Sequence, residues 1–328
     1  MASGLLTPSA SSLRPVFARS RDGQSAVHAV APTVALHVGF LNSGFLGHRS
    51  VARLLESCSA AMPGITAETL DLSADLTLAD RGIRRVLGLG LAPATGPLAN
   101  LDLRRWRLEL NVGWLAARRL AAAEAERPFD VLHFHTQAAA YASLARMQRT
   151  PSIVSIDITQ RLARVAARSR LARLSYAPNI AHDARVFRAA TAITTTSHWA
   201  ARDLVAHDPT CISKVHVMPY PVRPLADDTW VPARHARAAA GDRPRVLFIG
   251  GDFIRKGGDL LLEVWRATAL HEIAALDLVT DWPLDPVTLP AGVTQHRGVV
   301  AYSPEWRALW QQADLFVLPT RDEAYGIV

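Results

Sequence analysis

Apolar residues in this chain fall into short continuous runs, separated by longer segments with helical periodicity. That alternation is expected of buried parallel strands joined by helices. Thr33–Phe40 and Ile65–Leu72 read as the first two strands, and Phe129–His135, Ser152–Ile156, Ala192–Ser197 and Lys214–Val217 as four more. Between them, Ser50–Cys58, Leu101–Glu126 and His198–Ala206 read as helices, and Pro128 stops the longest. A second series starts with the unbroken run Val246-Leu247-Phe248-Ile249 and continues with strands at Leu276–Val279 and Ala313–Leu318. The helix after Ile249 is expected to bury Leu261, Leu262, Trp265 and Ala269 along one face, and another opens at Ser303-Pro304 and ends before Asp314. The fold class is therefore α/β in two successive halves, 32–222 and 243–328. A connector at 223–242 carries Asp227, Asp228 and Pro232, and a disordered tail occupies 1–31, which has no periodicity.

The totals narrow the function classes. With 328 residues the chain can hold two cores, and no segment approaches the ~20 uninterrupted apolar residues of a spanning helix. Cys58 and Cys211 are too few for a disulfide framework, which points to a reduced, cytoplasmic setting. The net charge of +7 and pI near 10.1 favour an anionic partner, but no nucleic-acid-binding motif accompanies them. Arginine carries nearly all of the positive charge. The chain has two lysines, Lys214 and Lys256, and the second stands in the most informative stretch.

That stretch follows the strand ending at Ile249. Gly250 and Gly251 end the strand, Arg255 and Lys256 occupy the turn, and Gly257 and Gly258 lead into a helix. Strand, glycine-rich turn and helix together direct free backbone N–H groups and the positive end of a helix dipole at one spot, where an anion fits. An ordinary βα turn with a solvated Arg-Lys pair is the alternative for this piece taken alone. Further on, Ala313-Asp314 and a short apolar run lead to Pro319, Glu323, Tyr325 and Gly326.

Taken in this order, the two stretches resemble the donor-phosphate loop and the Glu-x-Phe/Tyr-Gly signature of retaining glycosyltransferases of the family-4 type. The resemblance covers most of the chain from Thr33 onward and implies the GT-B fold, two Rossmann-like domains facing a cleft. It implies catalytic roles for Lys256, Arg255 and Glu323, with Gly250, Gly251, Gly257, Gly258, Gly298, Tyr325 and Gly326 binding a nucleotide-sugar donor and no metal required. Relatives often carry Arg where this chain has Gly251. The family's second Glu would fall beyond Val328, so the resemblance also implies a C-terminally incomplete donor domain of low activity.

The first half supplies the acceptor side. Leu41–His48 is a glycine-containing turn after the first strand, and by resemblance Gly44 and Gly47 allow close backbone approach beside His48. Side chains alternate along a strand, so His133 and His135 share a face at a strand's C-terminal end. A cleft-edge role for His135 stands beside a hydrogen-bonded core role, and no third metal ligand stands at a recognisable spacing. Asp157 ends the next strand, where many relatives have a sugar-contacting His; a carboxylate accepts hydrogen bonds from hydroxyls but donates none. Arg161, Arg164 and Arg168 share one helical face within Arg161–Arg173, a candidate for peripheral contact with anionic membrane lipids or an acidic acceptor. The expected activity is sugar transfer from a nucleotide-sugar donor to a glycan, lipid-linked or small-molecule acceptor. The alternative is a non-catalytic GT-B relative that binds or scaffolds.

Overall fold

A computed structural model describes residues 35–44, 48–91, 96, 98, 101–167, 169–220, 230–321 and 323. The chain divides into two compact units, Met1–Val222 and Arg223–Val328. The tail at 1–31 and Gly47, Arg168, Tyr325 and Gly326 lie outside the described residues.

The first unit runs β1 (Leu36–Asn42), α1 (His48–Ala60), β2 (Ile65–Asp71), α2 (Leu78–Leu87), α3 (Arg104–Glu126), β3 (Val131–His135), α4 (Gln137–Ala140) and α5 (Leu144–Met147). It continues with β4 (Ser152–Ile156), α6 (Gln160–Val165), α7 (Arg170–Leu174), α8 (Ala177–Ala189), β5 (Ala192–Thr195), α9 (His198–His207) and β6 (Val215–Val217). Its strands form one parallel sheet in the order β2-β1-β3-β4-β5-β6. Leu41, Leu132, Phe134, Val154, Ile156 and Ile193 are fully buried, as strands covered on both faces require.

The second unit contains α10 (Trp230–Ala239), β7 (Arg245–Ile249), α11 (Gly258–Ala267), β8 (Ala275–Val279), β9 (Val293–His296), α12 (Pro304–Gln312) and β10 (Leu315–Phe316). Its parallel sheet has the order β10-β7-β8-β9. The stretch read as a connector carries α10, and Arg234 and Arg237 on that helix bind Asp314 and the last carbonyls of α12. Asp277 ties this sheet together. It is buried, accepts two hydrogen bonds from the Arg245 guanidinium at 2.9 and 2.8 Å, and lies 2.8 Å from His296 Nε2, so one carboxylate links three strands.

Three sequence expectations are corrected. Ala269 lies beyond the end of α11, with φ of 48°, and only Leu261, Leu262 and Trp265 of the expected four are buried. The strand expected across Ala313–Leu318 pairs at two residues only, and as an edge strand leaves Leu315 exposed. Arg161–Arg173 is not one helix. It divides into α6 and α7, the second capped by Ser169, whose hydroxyl accepts from the Ala172 N–H; a cap of that kind starts a new helix rather than continuing one.

Candidate functional site

In open parallel sheets, ligands bind beyond the carboxyl ends of the strands where the strand order reverses, because the connections leave in opposite directions and open a crevice. The first unit reverses between β1 and β3, the second between β7 and β10. Sequence-expected residues gather at both places.

In the second unit, the turn after β7 meets the segment after β10. Gly250 N–H donates to the Val279 carbonyl at 3.0 Å, fixing the strand exit. Lys256 N–H and Gly257 N–H then close tight turns on Asp252 and Ile254. Gly257 caps α11 with φ of 78°, a left-handed conformation that glycine adopts without penalty. It also has no space for a side chain, since a Cβ there would stand 2.0 Å from the Pro319 carbonyl oxygen. A Cβ on Gly258 would likewise enter the Phe253 ring. This close passage lets the Arg255 carbonyl accept from the Arg321 N–H at 2.9 Å and the Thr320 hydroxyl at 3.2 Å. Arg321 also binds the Ile254 carbonyl and pairs with Asp259 in the first turn of α11.

The crossing delivers Glu323 to the turn. Its carboxylate pairs with Lys256 Nζ, and Arg255 Nη1 stands 3.5 Å from the same oxygen. Lys256 is 8% exposed, so its ammonium sits in a largely enclosed place. Lys256, Arg255, Glu323, Gly250, Gly257 and Gly258 are therefore assembled. Gly251 follows the strand exposed, and a Cβ there would meet nothing within 4 Å, so neither packing nor close approach demands glycine. Gly298 stands apart after β9, its N–H held by Asp281 at 2.7 Å.

In the first unit, Asn42 organises the site, and sequence reasoning passed it over. Its Oδ1 accepts from the Gly44 N–H at 2.8 Å, which fixes the amide orientation. Nδ2 then donates to the His48 carbonyl at 3.0 Å and to His135 Nδ1 at 3.2 Å. With Nδ1 accepting, a neutral His135 carries its proton on Nε2, which donates to the Tyr220 hydroxyl at 3.2 Å. Burial, followed by the neighbouring His48 and His133, holds His135 well below the ordinary imidazole value. Loss of hydration also pushes His133 down to about 4, and its Nε2 stands 2.5 Å from the Ser155 hydroxyl. The His48 ring lies tilted against His135, with centroids 4.7 Å apart, and bonds Ser43; burial lowers its pKa, while the charge of half-buried Asp157 acts in the opposite sense.

Gly44, His48, His135 and Asp157 thus share one region at the strand ends. Gly44 has φ of 69°, and a Cβ there would strike Ser73 and Asp71, so the first turn packs closely on the exit of β2. The expected same-face placement of His133 and His135 holds, with ring centroids 6.4 Å apart. Among the described residues no group of three or more His, Cys, Asp or Glu side chains is arranged to hold a metal ion.

The first unit holds a second polar cluster, also unread in the sequence. Tyr141 donates to Asp183 at 2.8 Å and lies 3.1 Å from Glu109, which also accepts from Gln160 and Asn179. Burial pushes the Asp183 carboxyl up to about 7 and raises Glu109 as well.

Residues 78–224 match the family model described as Glycosyltransferase Family 4. No curated protein matches the chain by sequence. Among solved structures the chain is similar to sucrose-phosphate synthase from Thermosynechococcus elongatus at 16% identity, over 89% of this chain and 77% of that one, with a TM-score of 0.53. It is also similar to the catalytic domain of starch synthase IV from Arabidopsis thaliana bound to ADP and acarbose, at 11% identity, over 90% and 80% of the two chains, with a TM-score of 0.52. These likenesses and the two parallel-sheet units bear out the α/β GT-B architecture and the resemblance to family-4-type glycosyltransferases.

Proposed function

We propose that this chain, a GT-B protein with a Glycosyltransferase Family 4 segment at 78–224, moves a sugar from a nucleotide-sugar donor to an acceptor with retention of anomeric configuration. The observation that carries the reading is the meeting of Lys256, Arg255 and Glu323 where the second sheet reverses.

Departure of a nucleoside diphosphate develops negative charge on the leaving oxygen and positive charge on the sugar ring. Lys256 and Arg255, beside the start of α11, are assigned to the diphosphate, a role that asks for fixed cations and N–H donors in a partly dry place. Glu323 is assigned to the sugar. An incoming diphosphate competes with Glu323 for the Lys256 ammonium, and the released carboxylate then accepts hydrogen bonds from sugar hydroxyls. Departure occurs on the face that the acceptor attacks, with no protein nucleophile and with Lys256 and Arg255 supplying the charge that a metal would otherwise bring. Asp157, His48 and His135 are assigned to the acceptor, a glycan, a lipid-linked sugar or a small molecule.

The test is calorimetric titration of the chain with UDP-, ADP- and GDP-sugars. Lys256→Ala is expected to weaken donor binding by roughly 10- to 100-fold, the loss of one or two charge-assisted hydrogen bonds. No heat with any donor, or unchanged affinity in Lys256→Ala, refutes the assignment. A second reading, a binding protein without catalysis, is favoured by Gly251 and Asp157 standing where relatives carry Arg and His. It predicts donor heat without transfer of labelled sugar to any acceptor.

A further inference from the structure

Helix α2 is inside out. At 100° per residue, Leu78, Gly82, Val86, Ala79, Ile83 and Leu87 follow one another in one continuous apolar arc, and the opposite side carries Asp80 and Arg84. A helix packed by the hydrophobic effect turns its apolar arc inward. Here the buried residue is Asp80, which accepts from Thr77 at the helix start and from Arg118 Nη2 at 2.8 Å. The apolar arc faces out: Leu78 is 85% exposed, Val86 63% and Ile83 42%, and Leu89 and Leu91 after the helix are 53% and 68% exposed. Neighbouring large apolar side chains exposed to this degree mark an interaction surface rather than scattered surface residues.

The rim of the patch identifies the partner. Arg81 and Arg85 are exposed along one side of the arc, and the only acid on α2, Asp80, is already bound. On α3, Trp114 is 46% exposed and holds Arg118, the arginine that binds Asp80 of α2, over its ring at 4.8 Å; an exposed indole of this kind suits a membrane–water boundary. Apolar side chains set among arginines and a tryptophan match a bilayer surface that presents acyl chains below anionic head groups. A second copy of this chain in antiparallel pairing fits poorly, since that twofold brings Arg81 and Arg85 against their own counterparts.

We infer that the α2 face, with Leu89, Leu91 and Trp114, docks this protein on anionic lipid bilayers. The inference does not rest on the glycosyltransferase reading. It moves the membrane-facing role from Arg161–Arg173, which α6 and α7 divide, to a helix whose apolar side is unpartnered among the described residues. No helix of the described residues is long and apolar enough to cross a membrane, so the contact is peripheral.

The test is flotation of the chain with phosphatidylcholine vesicles and with vesicles of phosphatidylcholine and phosphatidylglycerol. Binding is expected to the anionic vesicles and to weaken with added salt. The pair Val86→Ser and Leu89→Ser alters only exposed positions and is expected to weaken partition at least about tenfold. The pair Arg164→Gln and Arg173→Gln is expected to leave it unchanged. The inference is overturned if the wild type binds neither vesicle, if the serine pair binds as tightly as wild type, if the glutamine pair accounts for the loss instead, or if light scattering shows a dimer that the serine pair dissociates.

Discussion

Replacing Gly257 by alanine tests the join between the turn after β7 and the segment that carries Glu323. Two costs apply. Alanine at φ of 78° takes on the left-handed penalty of about 1–2 kcal/mol. Its methyl would also stand 2.0 Å from the Pro319 carbonyl oxygen and 2.7 Å from its carbon, so a backbone group has to move by more than an ångström. Overpacking of this kind costs about 1–3 kcal/mol, for an expected total of roughly 2–5 kcal/mol. Relief by moving Pro319 disturbs the bonds of Thr320 and Arg321 to the turn, and with them the position of Glu323. Hydrogen exchange read by mass spectrometry on peptides covering 245–267 is the assay, with peptides covering 131–156 as the internal reference. Exchange in 245–267 is expected to accelerate by at least tenfold and in the reference not at all. Gly251→Ala is the control: a Cβ there meets nothing within 4 Å, so its effect is expected to stay within about 0.5 kcal/mol. Unchanged protection of 245–267 in Gly257→Ala, or equal losses in both variants, would refute the reasoning.

Two further predictions concern buried carboxyls. The Asp183 carboxyl titrates at about 7 in the folded chain against 3.8 ordinarily, so between those values the folded state keeps a proton that the unfolded state has released. Stability therefore falls as pH rises from about 4 to 7, by an amount on the order of a few kcal/mol, and thermal melts of Asp183→Asn are expected to lose most of that slope while keeping an acceptor for Tyr141. Asp277→Asn halves the acceptor capacity available to Arg245 and His296; we expect a loss of about 1–3 kcal/mol in urea unfolding, confined to the second unit.

Local pattern made the strands and the donor-side turn legible, because each depends on neighbours in sequence. Four consecutive apolar residues at Val246–Ile249 announce a strand covered on both faces, and glycine pairs flanking Arg255 and Lys256 announce a turn that approaches something closely. What stayed hidden depends on distant partners. Asn42 reads as one polar residue of the turn after the first strand until His135, far along the chain, arrives beside it. Glu109, Tyr141 and Asp183 lie on segments whose helical patterns carry no sign that their polar groups converge. The division of Arg161–Arg173 follows from the Ser169 cap, a local signal outweighed in the sequence by the regular arginine spacing. Apolar residues after Leu78 resemble any packed helix, and the bonds of Asp80 to Thr77 and to distant Arg118 hold its polar side inward.

The burial that keeps protons off His133 and His135 bears on how the two units respond to ionic strength. At the end of β3, His133 and His135 are held below the ordinary imidazole value, so apart from the Asp157 carboxylate a ligand there meets mainly fixed dipoles, which counterions scarcely affect. Around β7 and β10 full charges act through Lys256, Arg255, Glu323, Arg321 and Asp259, and mobile ions compete with any anion that approaches them. One solution variable thus acts unequally at the two sheets, weakening capture of an anion by the second unit more than hydrogen bonding to the histidines of the first.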